Sequence, residues 1–154
     1  MRGGFALQAH ARHDRSSKSN ISLIASTRRD LYHMRMTPAS NEDLKLTITD
    51  RPSGARLIEL RGPLTITTLF GFQSAAREER TKPVVVDISG VPYMDSAGLG
   101  CLISIFTSCQ STSRGFGLFG VTPRIQTLFE VTRVSGLIPV SATLEAAEQA
   151  ATMK

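Results

Sequence analysis

The sequence predicts an α/β fold, a small mixed, mostly parallel β-sheet of four to five strands with packed helices, in the order β-β-α-β-α-β-α-β-α. Three observations carry that reading. Leu44, Leu46 and Ile48 alternate with Lys45, Thr47 and Thr49, the period-two pattern of a half-buried strand. Val84-Val85-Val86-Asp87-Ile88 is a β-branched run without alternation, as in a strand covered on both faces. Leu99, Leu102, Ile103 and Phe106 fall at i, i+3, i+4 and i+7, one face of a helix aimed at a core.

The elements follow in order. Arg51-Pro52-Ser53-Gly54 is a turn cluster, and Ala55–Leu60 reads as the returning strand of a hairpin. Gly62-Pro63 stops the sheet. Over residues 65–80, Ile66, Leu69, Phe70, Phe72 and Ala76 sit at helical spacing. Arg77-Glu78-Glu79-Arg80 is the solvated last turn, and Pro83 ends that helix. After the strand at 84–88, Gly90-Val91-Pro92 opens a loop, and Asp95-Ser96 leads into a helix over Ala97–Ser111. Gly115 supplies its stop, and Phe116–Val121 is a third buried-type strand. Thr122-Pro123 is a helix start with a hydroxyl cap and proline at the first helical position. Ile125, Leu128 and Phe129 bury that helix, and a brief Leu137–Val140 strand and a Thr143–Ala150 helix finish the chain. Strands alternating with helices imply right-handed parallel crossovers after the initial hairpin.

Charge divides the 154 residues in two. The net +5 of the whole chain belongs to residues 1–40, where seven Lys/Arg face Asp14 and Asp30. Residues 41–154 hold eleven Lys/Arg and eleven Asp/Glu, a net of zero. The reading is therefore a basic, disordered N-terminal tail over 1–40, with Met34 or Met36 as alternative starts, and one domain over 41–154. The Arg- and Ser-rich tail is also similar in composition to a transit peptide or a basic nucleic-acid arm. The domain has no basic stripe, so no direct nucleic-acid contact is expected of it. No uncharged apolar stretch reaches the eighteen or so residues of a membrane span, so no membrane partner is expected. Two cysteines form no disulfide framework and suit a reducing, cytoplasmic compartment.

The candidate site is Asp95-Ser96, at a strand-to-helix turn on the carboxyl side of the most buried strand, where parallel sheets collect ligands and chemistry. Either residue could be the N-cap that satisfies orphan amides. Gly98 and Gly100 in the first turn each cost about 1 kcal/mol relative to alanine, which points to close backbone approach or a low surface. Tyr93-Met94 reads as an exposed approach. A nucleophile elbow wants glycine two before the serine, and Met94 stands there. All three histidines (His10, His13, His33) lie in the tail, so the domain holds no Ser-His-acid triad. Gly115, Gly117 and Gly120 match G-x-G-x-x-G but run from a helix into a strand, the reverse of the order that binds pyrophosphate. Cys101 and Cys109 are eight residues apart on one helix, roughly 12 Å, too far for a disulfide, with no histidine beside them for zinc. With Ile105 they form a second apolar stripe, read as core. No catalytic residue, metal or cofactor is expected.

The run from Val84 through Asp87-Ile88-Ser89-Gly90-Val91-Pro92-Tyr93-Met94-Asp95-Ser96-Ala97-Gly98-Leu99-Gly100 resembles the central signature of the STAS domain family, the anti-sigma factor antagonists and related domains of sulfate transporters. The resemblance continues through Gly120-Val121-Thr122-Pro123-Arg124, Leu128-Phe129-Glu130-Val131-Thr132 and Leu144-Glu145-Ala146-Ala147, over about residues 44–150. It implies the STAS fold and a non-enzymatic protein-interaction module. It implies that Ser96 is phosphorylated by a cognate anti-sigma factor that is also a serine kinase. The unphosphorylated protein would capture that partner and free the sigma factor, and the phosphorylated form would let go. The implied partner-binding residues are Thr65, Met94, Asp95, Ser96, Ala97 and Gly98. A phosphoserine carries about −1.5 to −2 charge, repelled by Asp95 and offset by the helix N-terminus by about 0.3–1 kcal/mol. After the second strand the family usually shows glycine, an acidic residue, leucine and aspartate. Here the run is Gly62-Pro63-Leu64-Thr65, so regulated phosphorylation and constitutive binding both stay open. The other readings are a scaffold or sensory STAS protein and a nucleotide- or small-ligand-binding domain using the Ser96 helix end.

Overall fold

The computed structural model describes residues 43–153, so the basic tail, its histidines and both alternative starts lie outside the described residues. Strand β1 (Lys45–Asp50) pairs antiparallel with β2 (Arg56–Arg61), with Leu46 opposite Leu60 and Ile48 opposite Ile58. The turn between them closes with the Arg51 amide donating to the Ala55 carbonyl at 2.8 Å. Helix α1 (Leu69–Glu78), strand β3 (Val84–Gly90), helix α2 (Ser96–Ser111), strand β4 (Phe116–Phe119), helix α3 (Pro123–Val131), strand β5 (Val140–Ser141) and helix α4 (Leu144–Thr152) follow. The five strands lie in chain order, β1-β2-β3-β4-β5, and all pairs after the hairpin are parallel.

This order puts two cores on the two faces of the sheet. Ile58, Leu60, Val84, Val86, Ile88 and Leu118 pack with α1, α2 and α3 through Phe72, Leu99, Leu102, Ile125 and Phe129. Leu57 and Val85 point the other way and pack with Ala147 and Ala151 of α4. The unalternating β3 run is thus explained: Val84, Val85, Val86 and Ile88 are all buried because both faces are covered. Burying each such side chain contributes about 1.5–3 kcal/mol. The second stripe of α2, Cys101, Ile105 and Cys109, is buried as core, as read.

The glycine triplet after α2 has a packing role. A Cβ on Gly115 would lie 1.5 Å from the Ala151 carbonyl oxygen, and one on Gly117 would lie 2.3 Å from that of Ala147. Only glycine lets α4 lie this close to β4. Strand β4 then ends at Phe119 rather than Val121, because Gly120 turns away with φ +80°.

Three further boundaries differ from expectation. Helix α1 starts at Leu69, not at residue 65, because Thr65–Thr68 folds into a hydroxyl-bonded turn. The Thr68 hydroxyl donates to the Pro63 carbonyl at 2.7 Å and accepts from the Thr65 amide at 2.9 Å. Ile66 and Phe70 are consequently exposed (58% and 65%) rather than core-facing, while Leu69, Phe72, Ala75 and Ala76 form the buried face. The Leu137–Val140 strand shrinks to Val140–Ser141, since Leu137 and Ile138 turn back onto the Val134 carbonyl. The last helix runs to Thr152, with Thr143 as its cap.

Candidate functional site

The carboxyl ends of β2 and β3 carry two loops that close on each other. Because the strands follow chain order, the sheet has no point where the order reverses, the usual seat of a ligand crevice in open α/β sheets. Instead, Leu64 pairs with Met94 in an isolated parallel bridge. The Leu64 amide donates to the Tyr93 carbonyl at 3.2 Å, and the Asp95 amide to the Leu64 carbonyl at 3.3 Å. Gly98 seals the junction: a Cβ there would stand 2.1 Å from the Leu64 carbonyl oxygen. Gly100 meets nothing within 4 Å and only keeps the surface low. Close approach thus explains the first glycine, and the second is explained by nothing it touches.

Asp95 is the N-cap of α2. Its Oδ1 accepts from the Gly98 amide at 2.8 Å, and its Oδ2 accepts from the Ile66 amide at 3.1 Å. One carboxylate therefore satisfies an orphan donor of α2 and ties the β2–α1 turn to the helix end. Ser96 is the first helical residue, exposed, and its hydroxyl hydrogen-bonds to no described residue. The two capping alternatives are resolved: Asp95 caps, and the serine hydroxyl is left at the positive end of the helix dipole. No acidic residue occupies the first turn of α2.

The other expected interface residues sort by exposure. Ala97 and Thr65 are half-buried on the same end of the sheet as Ser96. The Thr65 hydroxyl lies 3.0 Å from that of Thr67, within the turn that follows Gly62-Pro63-Leu64, the run that replaces the acidic loop usual in the family. Met94 is corrected: it is 7% exposed and belongs to the main core, because its backbone bridge to Leu64 draws the side chain inward. Gly98 is likewise buried, so both shape the site from beneath without presenting surface. Tyr93 is half-buried, with the Arg124 guanidinium 5.4 Å from its ring centroid.

Sequence reasoning missed one residue at this site, Ile66, and a second exposed apolar group on the neighbouring helix, Phe70. The Ile66 amide bonds directly to Asp95, and four residues later Phe70 is the more exposed of the pair. The signal was available in Thr65-Ile66-Thr67-Thr68, whose hydroxyls favour a cap over a helix interior. Counting from Leu69 leaves Ile66 and Phe70 off the buried stripe. Among the described residues no group of three or more His, Cys, Asp or Glu could hold a metal ion. No helix there is long and apolar enough to cross a membrane.

A family model described as the STAS domain matches residues 47–147. The anti-sigma-B factor antagonist of Staphylococcus aureus strain NCTC 8325 / PS 47 is 30% identical over 77 residues, which cover 50% of this chain and 71% of that protein. The anti-sigma-B factor antagonist of Staphylococcus epidermidis is 33% identical over 87 residues, covering 54% and 81%. In fold, the chain is similar to the crystal structure of an anti-sigma factor antagonist from Mycobacterium paratuberculosis, with a TM-score of 0.65 and 21% identity over 73% of this chain and 97% of that one. It is also similar to the unphosphorylated anti-sigma factor antagonist SpoIIAA, at TM-score 0.53 and 12% identity over 66% and 91%.

Proposed function

We propose that this chain, which belongs to the STAS domain family, is an anti-sigma factor antagonist whose 41–154 domain captures an anti-sigma factor serine kinase and releases it when Ser96 is phosphorylated. STAS domains are regulatory and non-catalytic, which fits a site with one unengaged hydroxyl and no acid–base partner. The observation that carries the proposal is that hydroxyl. Ser96 is exposed at a helix N-terminus while its neighbour performs the capping, so modification costs the fold no hydrogen bond.

The partner face combines Ser96, Asp95, Ala97 and Thr65 with the apolar pair Ile66 and Phe70. Desolvating each of the latter contributes up to about 1.5–3 kcal/mol of binding. A phosphate of about −1.5 to −2 charge placed beside this pair brings a hydration shell that a dry contact excludes. The helix dipole returns only about 0.3–1 kcal/mol, enough to keep the modified domain folded and too little to rescue the interface. The switch is therefore local electrostatics acting on a binding equilibrium. The expected compartment is the cytoplasm, where such a kinase and its sigma factor act.

One observation favours a second reading. Pro63 is buried and Thr65 is bonded into the turn, so neither offers the carboxylate that the family usually places beside the serine. A scaffold STAS protein that binds its partner constitutively would need none. Incubation of the full chain with each host anti-sigma kinase and ATP, followed by phosphosite mapping, decides between them. Modification of Ser96 alone is expected. Modification elsewhere, or none with any kinase that binds the chain, defeats the switch and leaves the constitutive reading.

A further inference from the structure

Among the described residues Arg114 is the one buried charged side chain, at 6% exposure. Charges this deep are ordinarily paired. Arg114 is not: its Nη1 donates to the Glu79 backbone carbonyl at 2.7 Å and its Nε to the Thr112 hydroxyl at 3.0 Å. The Glu79 carboxylate is turned away, accepting from the amide and hydroxyl of Thr81. The ion pairs among the described residues are Arg51–Glu148, Arg56–Asp50 and Lys82–Asp50, and Arg114 enters none of them.

These two bonds, one to the end of α1 and one to the end of α2, use two of the five guanidinium donors. Among the described residues no buried side-chain nitrogen is left without a partner, so the remaining Arg114 donors open toward solvent. Arg114 lines a cleft of about 50 Å³ between α1 and α2, together with Arg77, Gln73, Ser104 and Ser108. None of the lining residues is acidic. The Ser104 and Ser108 hydroxyls and the Gln73 amide make no hydrogen bond to a described residue, so three neutral donors face two cations. In a domain whose charge sums to zero, this is a hollow lined by two guanidiniums and, among the described residues, by no carboxylate.

We propose that the cleft binds a small oxyanion, a phosphate or sulfate group, between the Arg77 and Arg114 guanidiniums. Its volume suits a few water-sized groups, the size of a small oxyanion. Arg77 is exposed, so the oxyanion can be a free ion or the terminal group of an ester extending into solvent. Ser104 and Ser108 lie eight and twelve residues beyond Ser96, about 12 and 18 Å along α2. The site is therefore separate from the partner face and stands whether or not Ser96 is phosphorylated.

The test is amide and arginine side-chain NMR of the full chain, titrated at constant ionic strength with inorganic phosphate, with glycerol 3-phosphate, and with chloride alone. Saturable shifts at Arg77, Ser104, Ser108 and Arg114 are expected with the phosphates only, and tighter binding of the ester identifies an esterified source. Arg77→Gln should weaken that binding at least fivefold without disturbing the fold, since it leaves the Arg114 cap untouched. Linear shifts, equal shifts with chloride, or no change in Arg77→Gln would overturn the assignment.

Discussion

Alanine at Gly98 and at Gly100 should have opposite effects on stability, although the two residues occupy the same helical turn. Helix propensity alone favours alanine at both by about 1 kcal/mol. At Gly100 nothing lies within 4 Å of the new Cβ, so that gain is realised. At Gly98 the Cβ would stand 2.1 Å from the Leu64 carbonyl oxygen, 2.9 Å from its carbon and 3.0 Å from its Cγ. The carbonyl is held by the Asp95 amide, and Ile66 by the Asp95 carboxylate, so relief means moving the β2–α1 turn off the end of α2. Overpacking costs about 1–3 kcal/mol and each lost hydrogen bond about 0.5–1.5 kcal/mol. Against the propensity gain, Gly98→Ala should destabilise by about 1–3 kcal/mol, while Gly100→Ala should stabilise by up to about 1 kcal/mol. Urea unfolding followed by circular dichroism, with m-values compared, measures both. At about 4–8 °C per kcal/mol for a domain of this size, the melting temperatures should separate clearly. A Gly98→Ala protein as stable as Gly100→Ala would refute the close packing of the two loops.

Phe70→Ser changes an exposed residue, so stability should move by less than about 0.5 kcal/mol while affinity for the anti-sigma partner falls at least tenfold; unchanged affinity would remove Phe70 from the partner face. The Asp50 carboxyl sits below its ordinary value, first because Lys82 hydrogen-bonds to it and then because Arg56 does. Its folded state holds the proton less readily than the unfolded chain. The contribution is therefore present above the unfolded pKa and lost as pH falls through the folded one. Asp50→Asn should flatten that acidic part of the stability–pH curve, and an unaltered curve would show that the pairs with Lys82 and Arg56 do not persist in solution.

The order of elements was legible because it rests on local signals. The Leu44–Ile48 alternation, the β-branched run at 84–88 and the Thr122-Pro123 cap each follow from spacing within a few residues, and the structure forms the strand, the buried run and the cap, though Ile48, read as inward-facing, is exposed. What was not legible depends on distant partners. Met94 looks like a loop residue until Leu64, thirty positions earlier, pairs with it. Whether Asp95 or Ser96 caps α2 is decided by the Ile66 amide and by the fit of Gly98 against Leu64, neither visible in a serine-aspartate pair. Gly115 and Gly117 imitate a nucleotide motif because the helix that needs them small, α4, lies some thirty residues on. The start of α1 was misplaced for the opposite reason: its threonine signal was local, and the apolar count across Ile66 and Phe70 overrode it.

The central claim is that Ser96 is the switch of a partner-binding face. Isothermal titration of the cognate anti-sigma kinase into the full chain carrying Ser96→Ala, Ser96→Asp or no change tests it most directly. The account predicts that Ser96→Ala binds at least as tightly as the unmodified protein and Ser96→Asp at least tenfold more weakly, a difference of about 1.4 kcal/mol. Equal affinity of the two variants, both folded, would contradict it.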